Sequence, residues 1–289
     1  MKAYQFSIII PFLLLQFLFA FPAISVAQKE FDLSVMGGLS NYSGDLQEKQ
    51  FTLKRSHAAF GLGISHIVMP KVSVGLLFRY GKVSGHDKYS TRSYIRDRNL
   101  NFYSSIFDVS LNASYDFLDT DYSSWTPYVT LGVGAFHFNP HAEGIRNLRQ
   151  YSTEGQGFIE GKKPYKLTAV SIPFGAGVKF LINDNIRLGY EFSVRKTFTD
   201  YVDDVSTTYV DEDMLRANRG QIAVDIAFRT DELYADAIYP PAGELRGSPE
   251  SKDWIYFSGI TLSFRLRTES DKLFGNGRKQ GIFGCPRNF

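Results

Sequence analysis

The chain has 289 residues, 44% of them hydrophobic and 15% aromatic, with 32 Lys and Arg against 30 Asp and Glu. So even a balance argues against a nucleic-acid partner, whose phosphates call for a concentrated excess of basic residues. The single cysteine, Cys285, excludes an intramolecular disulfide framework.

Lys2, the largely apolar run from Ile8 to Phe21 and the small-residue site Ser25-Val26-Ala27 have the order of an export leader. Residues 1–27 are expected to be a signal peptide, with a mature start near Gln28. The alternative, a retained membrane helix, suits the segment less well, because the run is short and is interrupted by Pro11 and Gln16. No cysteine follows it to carry a lipid anchor. Later segments lack the apolar length of a membrane helix, so the exported chain is either soluble or crosses a membrane with strands.

From there the chain reads as eight strands, at 31–40, 58–68, 72–83, 105–118, 126–138, 167–181, 186–197 and 254–266. The fourth sends Phe107, Val109, Leu111, Ala113, Tyr115 and Phe117 one way and Asp108, Ser110, Asn112, Ser114 and Asp116 the other. The seventh does the same, with Ile186, Leu188, Tyr190, Phe192 and Val194 opposite Arg187, Gly189, Glu191, Ser193 and Arg195. Globular strands average about 5–6 residues, whereas a tilted membrane strand needs about 9–11. The connections alternate in length: 41–57 long, 69–71 short, 84–104 long, 119–125 short, 139–166 long, 182–185 short and 198–253 very long. A soluble sandwich or lipocalin-like fold has no reason to gather every long loop at one end. The expected fold is therefore all-β: an eight-stranded antiparallel up-and-down transmembrane β-barrel spanning 28–266, with long extracellular loops and a short periplasmic tail, 267–289. Ile222, Val224, Ile226 and Phe228 also alternate, but a ninth strand would leave an odd count, so this segment is assigned to the last loop.

On the polar face of the strands lie Asp32, Arg79, Asp108, Asp116, Lys179, Arg187, Glu191, Arg195 and Arg265. They could form a proton relay or catalytic site. Mutual pairing inside the barrel is the expected arrangement, since an isolated charge there is too costly. Asp32 begins the first strand and Arg265 ends the last, so the two are expected to pair at the closing seam. Gly61-Leu-Gly63, Gly132-Val-Gly134 and Gly175-Ala-Gly177 complete no phosphate loop; their inward parity leaves room for the long side chains. Eight strands enclose a space that side chains just fill, so a plugged cylinder is expected rather than a pore.

No Ser-His-Asp or paired-carboxylate spacing is visible, and no cofactor or metal is expected. His137 and His141, near an outer rim, could serve a lipid-modifying or metal site, but loop-base polar residues are the plainer reading. The acidic run Asp200-Tyr-Val-Asp-Asp-Val-Ser-Thr-Thr-Tyr-Val-Asp-Glu-Asp213 could hold calcium, yet lacks EF-hand spacing and is expected to be solvated or to stabilise its loop. Lys88, Arg92, Arg96 and Arg98 could touch lipid phosphates or do nothing specific.

Three words stand out: Leu39-Ser-Asn-Tyr-Ser-Gly-Asp-Leu46, Asp200-Tyr-Val-Asp-Asp-Val-Ser-Thr-Thr-Tyr-Val-Asp211 and the terminal Cys285-Pro-Arg-Asn-Phe289. With them the chain resembles the PorG-like family of small outer-membrane β-barrels of Bacteroidetes, a component of the type IX secretion system. The resemblance implies a non-enzymatic, structural role in the outer membrane, beside a periplasmic ring of proteins resembling PorK and PorN. It brings no catalytic residues. The tail carries Leu273, Phe274, Ile282, Phe283, Cys285 and Phe289 among glycines and charges, a pattern that suits either partner docking or closure of the barrel's lower mouth. Cys285 could form an intermolecular disulfide or remain a packed thiol. The rival functions are a stand-alone envelope-stabilising or small-solute barrel, and a lipid-active barrel enzyme.

Overall fold

Period-two alternation needs a surface that is apolar on one side only, and the computed structural model supplies it by rolling the sheet into a cylinder. It describes residues 30–47, 52, 55–119 and 123–267. Residues Phe31–Leu266 form one compact unit. The expected signal peptide, 1–27, and the docking residues Leu273, Phe274, Ile282, Phe283, Cys285 and Phe289 lie outside the described residues.

The strands are β1 (Glu30–Ser43), β2 (His57–Met69), β3 (Val72–His86), β4 (Asn101–Asp116), β5 (Trp125–His137), the two-residue β6 (Pro140–His141), β7 (Thr168–Leu181), β8 (Ile186–Thr197) and β9 (Trp254–Arg267). Sequential neighbours pair antiparallel, β5 pairs with β7, and β9 lies beside β1, so eight strands close into a barrel. β6 adds two rungs to the upper part of β4, opposite Tyr103 and Ser104. The strands run slightly past their expected ends at the long-loop side. β4 begins at Asn101 because His86 to Val83 continue the β3 ladder up to it.

Short connections are built by local chemistry. Between β2 and β3, Pro70 is followed by Lys71 at φ 68°, the residue order of a type II turn. Between β7 and β8, the Asn183 side chain accepts from the backbone of Asn185 and Ile186, both at 2.9 Å. These turns aim the strands; the long loops carry everything else.

Large apolar side chains cover the outer wall: Leu62, Leu76, Val133, Val170 and Ile260 are all well exposed. Apolar patches this extensive are foreign to a surface meant for water and belong to one meant for lipid. Leu111 is 51% exposed while its neighbour Asn112, turned inward, is 4% exposed and donates to Ser110 Oγ at 2.9 Å. Leu111→Arg therefore places a charge on the lipid side and is expected to cost about 2–4 kcal/mol; Asn112→Ala is expected to be milder. Urea titration of the refolded protein in vesicles checks this order, and equal tolerance of both would mean the strand phase is inverted.

Candidate functional site

The polar face of each strand meets the others across the barrel axis. At the short-turn end Asp32 on β1 accepts from Arg187 Nη1 on β8 at 2.9 Å and from Arg265 Nε on β9 at 3.1 Å. Nearby, Lys179 Nζ donates to Asp116 at 2.7 Å and lies 4.3 Å from the centre of the Tyr128 ring. In the middle, Glu191 accepts from Arg79 and, at 2.8 Å, from Tyr128 Oη. Above it, Arg195 donates through Nε and Nη2 to Asp108 Oδ2 at 3.3 and 3.0 Å. Phe257 lies within cation–π reach of both Arg79 and Arg195, at 5.7 and 5.0 Å. All nine inward charges named from the sequence are thus brought into ion pairs.

Space for this is made at glycines. Opposite Glu191 sits Gly177, where a Cβ would fall 2.6 Å from the Tyr128 ring. Only a residue without a side chain lets Tyr128 lie flat and reach the carboxylate. Arg79, Asp108, Glu191, Arg195, Tyr128 and Phe257 are all buried, so the centre of the cylinder is filled with protein.

Above the barrel parts of all four long loops pack together. Tyr42, Leu46, Leu100, Phe102, Phe138, Leu148, Val202, Val205, Ile226 and Ile255 form one buried cluster contributed by all four loops and the strand ends. Two helices, α1 (Glu212–Arg219) and α2 (Gln221–Ala227), build a smaller cluster around Leu215, Ala223, Val224 and Ala227. The segment Ile222–Phe228, where alternation suggested a strand, is mostly helix: its buried residues Ala223, Val224, Ile226 and Ala227 follow helical spacing while Ile222 is exposed.

Carboxylates tie the cap together. Tyr42 Oη lies 2.5 Å from Asp203 and 3.1 Å from Asp253, joining the first loop, the last loop and the root of β9. Asp204 accepts from Tyr165 Oη at 2.6 Å and Thr153 Oγ1 at 2.9 Å. Glu154 accepts from the backbone of Ser206 and Thr207 and pairs with Arg246 at 3.1 Å. Asp87 pairs with Arg98 at 2.7 Å and takes the Leu100 amide. Arg98 is therefore spent inside the cap and is not offered to lipid, a correction to the sequence reading. Asp211 is a helix cap, accepting from Met214 N at 2.9 Å, and Arg216 and Arg219 close the same helix at its C-terminal end.

Burial raises the acids of this cap. Asp200 is pushed up to about 8, with Asp45 and Glu154 adding to the effect and the Ser206 hydroxyl opposing it. Asp204 is pushed up to about 6 by burial, against the pull of Arg246. Asp203 and Asp253 stand well above the usual range, through burial and through other nearby carboxylates. Among the described residues no group of three or more His, Cys, Asp or Glu is arranged to hold a metal ion. His137 Nδ1 lies 3.1 Å from Thr168 Oγ1, and His141, 3.3 Å from the Asn139 carbonyl, stacks near Tyr103. Both imidazoles thus serve strand ends.

A family described as a domain of unknown function, DUF6089, matches residues 10–224. The chain belongs to the DUF6089 family. No curated protein matches it. Among solved structures this DUF6089 chain is similar to Neisserial surface protein A, at 9% identity and TM-score 0.42 over 82% of this chain and 97% of that one. It is also similar to Ail, the attachment invasion locus protein of Yersinia pestis, at 10% identity and TM-score 0.41 over 83% and 100%. OprG from Pseudomonas aeruginosa matches at 12% and TM-score 0.39 over 82% and 98%. At such distances the likeness carries no argument, and the barrel rests on its own closed strand pairing.

Two outcomes follow from this geometry. Arg195→Met leaves Asp108 buried without its cation and is expected to cost about 3–5 kcal/mol; adding Asp108→Leu should recover most of that, read as the temperature at which the compact electrophoretic form is lost. For the cap, acids whose folded pKa is raised contribute stability that is complete below the unfolded value, about 3.9, and fades as pH rises through the folded values. Proteolysis of the 198–253 loop in detergent should therefore quicken from pH 5 to pH 9, across the Asp204 value of about 6 and the Asp200 value of about 8. Asp200→Asn should flatten the upper part of that rise.

Proposed function

We propose that this chain is a non-enzymatic outer-membrane β-barrel that acts as a fixed anchor in a type IX secretion or gliding complex, holding periplasmic ring proteins resembling PorK and PorN. The apolar outer wall and the export leader support the location. The observation that carries the role is the filled interior: Arg79, Glu191, Asp108 and Arg195 interlock across the axis beneath a folded cap. A barrel so closed has its working surfaces outside the lumen, which favours anchoring over admission of small solutes. Asp32, Arg187 and Arg265 brace the short-turn rim, read here as the periplasmic one. His137 and His141 each engage one ring nitrogen at a strand end, with the Thr168 hydroxyl and the Asn139 carbonyl, and a lipid-active enzyme is the weaker reading.

The test is a tagged protein, full-length or lacking residues 270–289, crosslinked in cells and purified in mild detergent. The full-length protein should fractionate with outer membranes, migrate differently before and after boiling, and bring ring proteins with it. Truncation should keep the heat-sensitive migration and reduce the ring proteins several-fold. Ring proteins retained in full would overturn docking through the tail, and none with the intact protein would overturn the anchoring role.

A further inference from the structure

On the outer wall near the loop end, where β7, β8 and β9 lie side by side, the surface is hollowed into a crevice of about 750 Å³. Its floor is barrel wall: Phe174, Phe192, Val194, Trp254 and Tyr256, all of outward parity. The rings form a panel, Phe174 edge-on to Trp254 at 6.4 Å and Phe192 tilted to Tyr256 at 6.1 Å. Its roof is polar and comes from loops, including Arg92 before the helical turn Ser93–Arg98 and Lys252 before β9.

The overhang is a departure from the rest of the wall. Tyr190 and Ile260, of the same parity lower on β8 and β9, are 49% and 59% exposed, whereas Val194 and Tyr256 are 9% and 7% exposed. Here the loops lean out past the barrel's rim and enclose a strip of wall. The space lies within the range of about 300–1,000 Å³ typical of small-molecule sites. Its polarity is ordered, aromatic below and cationic above. The one acid in the lining, Asp45, has its Oδ2 turned to the Ser248 amide at 2.9 Å.

We propose that this crevice holds a phosphorylated lipid of the surrounding membrane, one acyl chain lying on the Phe174–Trp254 panel and the phosphate headgroup meeting Arg92 and Lys252. The inference rests on the membrane-spanning reading above. An acyl chain gains nothing special from an aliphatic wall already in lipid, but the roofed panel fixes it in one place. The two cations then select an anionic headgroup over a zwitterionic one.

The chain has two tryptophans, so Trp125→Phe leaves Trp254 as the sole reporter in the crevice and Trp254→Phe leaves Trp125 as a control on the opposite end of the barrel. Each full-length variant is refolded into phosphatidylcholine vesicles containing a minor fraction of dibrominated phosphatidylglycerol or, separately, dibrominated phosphatidylcholine. Trp254 should be quenched severalfold more by the anionic bromolipid, Trp125 equally by both. Arg92→Gln with Lys252→Gln should abolish the Trp254 preference while the protein still floats with vesicles and migrates as a compact form. Equal quenching of Trp254 by both lipids, or a preference that survives the double substitution, would overturn the lipid site alone. Failure to enter vesicles would overturn the membrane reading and the site with it.

Discussion

Eight strands make a narrow cylinder, and its width governs the rest of the molecule. A charge pointing into such a space has no water to retreat to and must find an opposite charge across the axis. Arg195 and Asp108 are both almost wholly buried and pair with each other; Glu191 is met by Arg79 and a tyrosine. Buried pairs of this kind are weak sources of net stability but expensive to break. They fix which strands face which, and they close the interior to traffic.

The cap obeys the same rule with different materials. Loops that carry Tyr42, Phe102, Phe138 and Val202 have apolar surface to hide and only one another to hide it against. The carboxylates caught between them are hydrogen-bonded by tyrosine and threonine hydroxyls and by backbone amides, and two of them pair with Arg98 and Arg246. The described part of the loop end is consequently a packed, shaped surface. Its overhang beside β8 and β9 is part of that surface.

The barrel was readable because one rule, alternation, decides it residue by residue: between Phe107 and Phe117 each side chain announces its face. The inward charges were readable for the same reason. The seam pair of Asp32 with Arg265 was readable too, from the strand ends it joins; the pairing of Arg187 with Asp32 or Arg79 with Glu191 was not, since it depends on strand tilt and on which strand lies across the lumen, and neither is written locally. The acidic run was expected to be solvated or to stabilise its loop, and it does the latter; the packing of one loop against another was not readable, because it joins segments far apart in the chain. Apolar residues threaded among the acids, as in Asp200-Tyr-Val-Asp-Asp-Val, were the available sign of burial. Ile222–Phe228 misled through counting only large residues; Ala223 and Ala227 complete the helical face. Asp211 and Gly220, bracketing a helix as cap and stop, were legible signals in hindsight of chemistry alone.

One consequence of the ladder concerns how the barrel comes together. Arg79 and Asp108 stand directly opposite each other on β3 and β4, yet in the finished structure each takes its partner from β8. Those partners, Glu191 and Arg195, are one acid and one base, 112 and 87 residues away along the chain. The Arg79–Asp108 rung and the Glu191–Arg195 pair on β8 are each neutral by themselves, so their cross-pairing exchanges counterions two for two.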